Sequence, residues 1–141
     1  MSDIEQEIQD KGLTGPRVTM QDVEDAIVSE HYFTAAYATA AKVKGCETDR
    51  IQLAAVYKSA ALEQLDMINS ALERLTFCVL VLRNGFTVTG ESACVSPENF
   101  DAELGRKIAR QNAVAKIWPL MGYALRDKLH ARSQYGAGGE G

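Results

Sequence analysis

The sequence predicts an α+β fold: a small antiparallel sheet packed against C-terminal helices, with an inserted helical hairpin. Two observations lead to this prediction. Two β-favouring runs, residues 76–82 and 86–93, flank an Asn-Gly pair, which is a strong short-range signal of a β-hairpin. Residues 96–132 then carry apolar side chains at helical spacing, with Pro119 as an interruption. The hairpin and the helices that follow it therefore form the centre of the predicted fold.

We expect a single domain over residues 19–132, with disordered tails at 1–18 and 133–141, where polar residues and glycines are frequent. Hydrophobic residues make up 46% of the chain and charged residues 24%, as in ordinary globular proteins. No apolar run approaches the roughly 18 residues of a membrane span. The first residues are acidic and lack the basic-then-apolar order of a signal peptide, so we expect no export.

The formal net charge of -4 argues against binding to polymeric nucleic acid, because such binding depends on neutralising many phosphates with Lys and Arg. An anionic ligand would have to be small and bound by a local basic cluster. The three cysteines, Cys46, Cys78 and Cys94, lack the spacing of metal ligands and indicate reduced thiols. We therefore expect neither a metal nor another cofactor.

The first helix of the domain has a clear start signal. Thr19 can cap it, and Asp22 stands three residues later, as in a capping box. Val18 can pack on Val23 as a hydrophobic staple. Residues 31–34, which are rich in aromatic and β-favouring side chains, then predict a short strand.

Residues 35–44 and about 48–74 predict two helices, which together form a helical hairpin at about 35–74. Gly45 is a suitable C-cap for the first helix. The second helix carries an apolar seam with helical spacing, formed by Ala61, Leu65, Ile68, Leu72 and Leu75. Because this arm has more apolar surface than the shorter arm can cover, we expect a partner, most simply a second copy of the chain. The alternative is that the surplus packs only on the protein's own sheet.

The turn at Asn84 and Gly85 predicts a two-residue hairpin loop of type I′, which pairs Val81 with Val88. One face of the sheet then carries Phe77, Val79, Val81, Arg83, Phe86, Val88 and Gly90. The opposite face carries Thr76, Cys78, Leu80, Leu82, Thr87, Thr89 and Glu91. Gly90 indicates a bulge or a close approach of another backbone.

Ser96 is expected to cap the next helix, with Pro97 at its first position. The side chains expected to face the sheet are Phe100, Leu104, Ile108, Ala115 and Trp118. Arg106 and Arg110 stand one turn apart and point away from this stripe. Pro119 is expected to end the helix and to start a last one over residues 120–132.

Four stretches of the chain resemble a known family: the run 75–94, Ser-Pro-Glu-Asn-Phe-Asp at 96–101, Arg-Lys-Ile-Ala-Arg at 106–110 and Ile-Trp-Pro-Leu-Met-Gly-Tyr at 117–123. They resemble a widespread family of small bacteriophage proteins, named after members in phages N4 and Sf6. The resemblance extends to the Thoeris anti-defence sponges, which sequester cyclic ADP-ribose isomers made by host TIR-domain enzymes. It implies a protein that binds cyclic nucleotide immune signals in the cytoplasm of the infected bacterial host without cleaving them.

A second resemblance lies in the helical hairpin, at Gly45, Cys46, Arg50, Leu53, Ala54, Met67 and Ala71. These residues are similar to the hairpin of hexameric anti-CBASS sponges of cyclic oligonucleotides. The resemblance implies a homo-oligomer, either a dimer or a hexamer built as a trimer of dimers. It also implies a second pocket, for cyclic di- or trinucleotides, whose candidate residues are Lys42, Lys44 and Arg50. Lys58 departs from the pattern by placing a charge within the hairpin.

A cyclic ADP-ribose isomer carries a pyrophosphate, which suits paired guanidiniums, and an adenine, which suits an aromatic face with an amide. The candidate ligand-binding residues are Asn84, Phe86, Asn99, Phe100, Arg106, Arg110 and Lys116. Structural roles are the alternative for these residues. The two arginines can instead pair with Glu103 and Asp101 on the same helix, and Asn84 can serve only the turn.

The alternative function is a protein-interaction module that inhibits a host protein through its helical hairpin. Catalysis ranks last among the hypotheses. His31 and His130 lack a partner nucleophile at a recognisable spacing, and the sequence contains no glycine-rich phosphate loop. A pair of carboxylates could be drawn from Glu91 and Glu98, but no other feature supports a pocket around them. We therefore expect no enzymatic activity.

Overall fold

The computed structural model describes residues 2–43 and 62–136, and it confirms the predicted α+β class. Three strands form one antiparallel sheet in the order β1, β2, β3. In chain order the elements are α1 (Ser2–Asp10), α2 (Met20–Ala26), β1 (Ile27–Thr34), α3 (Ala35–Val43), α4 (Leu62–Glu73), β2 (Leu75–Leu82), β3 (Thr87–Ala93), a short 3-10 helix (Pro97–Asn99) and α5 (Ala102–Gly136). None of these helices combines the length and the apolar character needed to cross a bilayer.

The sheet carries the long helix α5 on one face, and the core lies between them. The buried side chains of this core are Val23, Cys78, Leu80, Leu82, Val88, Ala109, Ala113 and Ile117. Strand β1 is longer than the predicted residues 31–34, because it pairs along β2 from Ile27 to Thr34. The central strand β2 therefore has a hydrogen-bonded neighbour on each side.

The hairpin between β2 and β3 turns through three residues, so the predicted two-residue loop is wrong. The N–H of Leu82 donates to the carbonyl of Phe86 at 2.8 Å, and the N–H of Gly85 donates to the carbonyl of Leu82 at 2.8 Å. Gly85 has a φ of 87°, as in a turn that is closed by a glycine bulge. A type I′ loop would need positive φ at Asn84 as well, and only glycines have it in the described part of the chain.

The extra loop residue shifts the pairing of β2 and β3 by one position. Val81 is paired with Thr87, and Val88 is paired with Leu80. Because successive side chains of a strand point to opposite faces, the predicted faces are wrong for β3. Val88 and Gly90 lie against α5, and the alternate residues from Thr87 onward are exposed on the other face.

We expect Gly85→Ala to lower the free energy of unfolding by about 1 kcal/mol, because a side chain strains the left-handed conformation. No atom lies within 4 Å of a Cβ built there, so the loss would come from backbone strain and not from crowding. Gly15→Ala is the matched control, since Gly15 has equal room and no positive φ. Urea unfolding of both variants gives the comparison, and equal midpoints would contradict the three-residue turn.

Ser96 and Pro97 take the predicted cap and first positions, but of the short 3-10 helix, and the Ser96 side chain makes no capping hydrogen bond. Helix α5 begins at Ala102. The carboxylate of Asp101 accepts the N–H of Leu104 at 3.0 Å, which makes Asp101 the capping residue. Phe100 has an extended backbone, with φ -70° and ψ 125°. This residue separates the short 3-10 helix that follows Ser96 from α5.

Helix α5 is continuous through Pro119, so the predicted break into two helices is wrong. Proline lacks the backbone N–H that would continue the hydrogen-bond ladder. Ile117 on one side of Pro119 and Met121 on the other side both pack on the same core, which holds the two segments in line. The chain is also helical from Ser133 to Gly136, where a flexible tail was expected, and residues 137–141 lie outside the described residues.

Opposite Gly90, helix α5 faces the sheet with small side chains, whereas further along the helix Ile117 is fully buried and the predicted Trp118 packs against the core. Ala109 and Ala113 are fully buried, whereas Leu104 is 53% and Ile108 is 39% exposed. A Cβ on Gly90 would lie only 2.1 Å from the carbonyl oxygen of Ala109. The close backbone approach predicted at Gly90 is therefore confirmed. The large side chains were expected inside because burial usually favours them, but this contact leaves room only for small ones.

The N-terminal region contains the predicted capping box and a helix that was not predicted. The hydroxyl of Thr19 accepts the N–H of Asp22 at 3.1 Å, and the Asp22 carboxylate accepts the N–H of Thr19 at 2.9 Å. The segment Ser2–Asp10 is helical, against the expectation of a disordered tail. Its Glu5 carboxylate accepts two hydrogen bonds from the Arg17 guanidinium, at 3.0 Å and 2.9 Å.

The two helices of the predicted hairpin lie between β1 and β2 in the chain. Helix α3 follows β1 directly, and α4 leads into β2 after a single residue. The two helices contact each other, and the seam residues Leu65, Ile68 and Leu72 of α4 are half-buried. The predicted turn at Gly45 and the first part of the predicted long helix lie outside the described residues.

Candidate functional site

A cleft lies where the hairpin tip, the start of α2 and the C-terminal half of α5 meet. Its volume is about 510 Å³, within the usual range for small-molecule sites. Its lining residues are Arg17, Val18, Asp22, Ala26, Leu82, Arg83, Asn84, Phe86, Leu120, Met121, Ala124, Leu125 and Lys128. We call it the tip cleft. Its walls are mainly aliphatic. Its charged groups are Arg17 before α2, Asp22 in α2, Arg83 at the hairpin tip and Lys128 in α5.

Two of the predicted ligand-binding residues, Asn84 and Phe86, line the tip cleft together. The Phe86 side chain is 54% exposed, so its ring is available for stacking. The side-chain oxygen of Asn84 accepts the N–H of Phe86 at 3.0 Å. This bond leaves the two N–H donors of the amide for a ligand, and it positions the amide beside the ring. Asn84 therefore serves the turn, as the structural alternative expected, and still offers donors.

Three cationic side chains line the tip cleft, against one carboxylate. Arg17 is paired with Glu5, but Arg83 and Lys128 make no ion pair with any described residue. The carboxylate belongs to Asp22, and the hydrogen bond from the Thr19 N–H is the main reason that its pKa is lowered. Nearby Arg17 and Arg83 lower this pKa further. The cleft therefore has an excess of positive charge, although the whole chain is acidic.

The structure places three predicted site residues, Asn99, Phe100 and Arg106, near the other end of α5. Phe100 is half-buried, whereas Asn99 and Arg106 are exposed. At a rise of about 1.5 Å per residue, Arg106 is about 20 Å along the helix from Leu120 in the tip cleft. A single chain therefore does not bring this group together with Asn84 and Phe86. Lys116, between the two groups along α5, is exposed and does not line the tip cleft.

Arg110 lies in a polar cluster that joins α5 to α2 and β1. Its guanidinium donates to both carboxylate oxygens of Glu24, at 2.8 Å and 3.2 Å, and also to Glu30. These hydrogen bonds from Arg110 lower the pKa of Glu24, and those to Glu24 raise the pKa of Arg110. Arg110 therefore pairs with neither of the acidic residues expected on its own helix.

Glu103 and Asp101, which the structural alternative assigned to the two arginines, have other partners. The carboxylate of Glu103 pairs with Lys107 at 3.5 Å, and Asp101 caps α5. Of the residues expected in the second nucleotide pocket, Lys42 belongs to α3. Lys44 and Arg50 lie outside the described residues.

Three residues of the tip cleft were missed in the sequence: Arg17, Arg83 and Lys128. Arg83 could have been found, because it directly precedes the Asn-Gly turn and must lie at the hairpin tip. Lys128 could also have been found, because it lies one helical turn from Leu125 in the helix predicted over residues 120–132. Arg17 offered no such signal, because it stands in a segment that was expected to be disordered.

Comparison with known proteins gives one match, to a family model. No curated protein and no solved structure matches the chain significantly. The family model is described as the phage protein (N4 Gp49/phage Sf6 gene 66) family, and it matches residues 18–129. The match begins beyond α1 and includes the sheet and most of α5. Because the match extends over much more than half of the chain, this protein belongs to the N4 Gp49/Sf6 gene 66 family of phage proteins.

Proposed function

We propose that this phage-family protein binds a cyclic nucleotide immune signal of the cyclic ADP-ribose class and sequesters it, without cleavage, in the cytoplasm of the infected host. The observation that supports the proposal best is the tip cleft. It combines an exposed aromatic ring, a free amide edge and two unpaired cations around one concave surface. These are the kinds of groups that bind an adenine and a pyrophosphate.

Each part of such a ligand has a partner in the tip cleft. The adenine would stack on Phe86, with its edge on the Asn84 amide, in the manner of single-stranded base recognition. The pyrophosphate would lie between Arg83 of the hairpin tip and Lys128 of α5. The aliphatic walls would exclude water and strengthen these charge interactions. The cleft lining contains one carboxylate and no histidine or cysteine, and this composition supports binding better than acid–base chemistry.

The remaining predicted residues fit this proposal only if the protein is a homo-oligomer, either a dimer or a hexamer. Arg106 is exposed near the start of α5, and the same part of the helix carries Leu104 and Ile108, which are 53% and 39% exposed. Large exposed apolar side chains are typical of an interface. In the proposed assembly, this surface of one copy approaches the tip cleft of another and adds Arg106 to the site. A second pocket for cyclic di- or trinucleotides would be built by the helical hairpins.

We expect Phe86→Ala to weaken binding of a cyclic ADP-ribose isomer by about tenfold to thirtyfold, because it removes the stacking surface. Isothermal titration of the purified protein measures the affinity. The matched control is Tyr123→Ala, which removes an aromatic ring that is 75% exposed on α5 outside the tip cleft. Equal losses in the two variants would argue against stacking at Phe86.

The fate of the ligand separates sequestration from catalysis. After titration, the protein is denatured by heat and the released ligand is analysed by chromatography. Sequestration predicts full recovery of the unchanged nucleotide, whereas a converted product would show an enzyme. If no cyclic nucleotide binds, the protein-interaction module becomes the better hypothesis. Leu65→Asp in α4 would then abolish inhibition of a host protein.

A further inference from the structure

Arg17 is placed to bind an anion, although Glu5 occupies its guanidinium in this structure. Two nitrogens of the guanidinium donate to the two oxygens of the carboxylate, at 3.0 Å and 2.9 Å. The same planar fork of donors binds two oxygens of a phosphate. Arg17 also lines the tip cleft, so the fork lies at the edge of the proposed site.

We infer that Arg17 is an anion-binding residue of the tip cleft, and that a phosphate-bearing ligand binds by displacing Glu5 from it. The inference rests on the proposed function, because it concerns the same cleft. With Arg83 and Lys128, the released Arg17 would supply a third cation to the ligand. Helix α1 would then leave its place when the ligand binds.

The attachment of α1 is weak enough for this exchange. The pair of Arg17 and Glu5 is bidentate, but its side chains are 28% and 26% exposed, so water and salt screen it, and a phosphate offers Arg17 the same two-oxygen geometry. Next to this pair, Ile4 and Ile8 of α1 and Trp118 of α5 line one small apolar groove. Ile4 itself remains largely exposed. The family match begins at residue 18, so α1 and Arg17 both lie outside the matched part of the chain.

Trp118 makes the exchange measurable. It is the single tryptophan of the chain, it is half-buried, and it lines the same groove as Ile4 and Ile8 of α1. Release of α1 would expose its ring to water and shift its fluorescence to longer wavelength. The signal reports the position of α1 directly, without reference to activity.

The test compares the wild type with Glu5→Gln and Glu7→Gln. Both variants remove one negative charge from α1, but Glu7 pairs with the exposed Lys11, which directly follows α1. Each protein is titrated with sodium pyrophosphate and with a cyclic ADP-ribose isomer, while Trp118 emission is recorded. We expect Glu5→Gln to bind both probes about threefold to fivefold more tightly than the wild type, because no carboxylate competes for Arg17. Glu7→Gln should match the wild type, and Arg17→Gln should bind both probes more weakly.

The outcomes separate this inference from the proposed function. Tighter binding of pyrophosphate by Glu5→Gln, with a red shift of the wild-type emission at saturation, supports the displacement even if the cyclic nucleotide does not bind. Binding of the cyclic nucleotide with equal affinity to the wild type and Glu5→Gln, and with unchanged emission, overturns the displacement and leaves the proposed function intact. Failure of both probes to bind any of the proteins overturns both.

Discussion

Gly90→Ala is expected to destabilise the protein by at least about 3 kcal/mol, or to prevent folding altogether. The added Cβ would lie 2.1 Å from the carbonyl oxygen of Ala109 and 2.3 Å from the backbone nitrogen of Ala113. Both atoms belong to the backbone of α5, so no change of rotamer can relieve the clash. The helix would have to move away from the sheet and open the core on both sides of the contact.

The control for this variant is Gly122→Ala, in the same helix. A Cβ on Gly122 meets no atom within 4 Å, and alanine favours a helix over glycine by about 1 kcal/mol. Urea unfolding followed by circular dichroism should therefore show a gain for Gly122→Ala and a large loss, or no cooperative transition, for Gly90→Ala. A Gly90→Ala protein within about 0.5 kcal/mol of the wild type would disprove the close packing of α5 on β3.

Arg110→Met is expected to lower the free energy of unfolding by about 2 to 3 kcal/mol at neutral pH. The change leaves Glu24 and Glu30 near each other without their shared cation. Breaking a fully buried pair costs about 3 to 5 kcal/mol, and the partial exposure of these three side chains, between 30% and 40%, reduces that figure. Arg106→Met is the matched control, because Arg106 is an exposed arginine one turn away with no ion pair to a described residue.

The loss from Arg110→Met should depend on pH. Arg110 lowers the pKa of Glu24 in the folded protein below its ordinary value of 4.5. The stability from this pair is therefore fully present above the ordinary carboxyl pKa, and it disappears as the pH falls through the lowered one. Melting temperatures measured between about pH 3 and pH 7 should show the wild type and Arg110→Met converging in acid. A difference that stays constant over this range would exclude a role for the carboxylates.

This structural role affects how binding experiments on α5 are interpreted. Loss of nucleotide binding in an Arg110 variant would combine loss of a ligand contact with loss of the α2–β1–α5 cluster. Arg106 has no such cluster in the described residues, so Arg106→Ala tests the proposed contact between subunits more directly. The comparison is informative only if the unfolding midpoint of each variant is measured beside its affinity.

The features that were predicted correctly from the sequence are those that depend on residues close together in the chain. The capping box from Thr19 to Asp22 spans four residues, and the strand pattern on either side of Asn84 and Gly85 requires only local propensity. The predicted register of the hairpin was wrong, because the register depends on the φ angle at Asn84. A dipeptide signal does not distinguish one loop length from another. The fold class was therefore predictable, although the face assignment of β3 was not.

The site was harder to predict, because its groups come from distant parts of the chain. Arg110 meets Glu24 across a sequence separation of 86 residues, and Arg17 approaches Lys128 only through the packing of α2 on α5. Periodicity could not find such pairs. The family resemblance directed attention to Asn84 and Phe86, which line the tip cleft together, but the cations around them became apparent only in the folded chain.

The contact at Gly90 also restricts how this protein can evolve. A steric clash between two side chains can be relieved by a compensating substitution at either position, so such positions often change in pairs. Here the opposing atoms are backbone atoms, which every amino acid carries. No replacement at position 109 or 113 can therefore make room for a larger residue at position 90. In an alignment of relatives that share this packing, glycine should be invariant at position 90, while positions 109 and 113 vary among small residues.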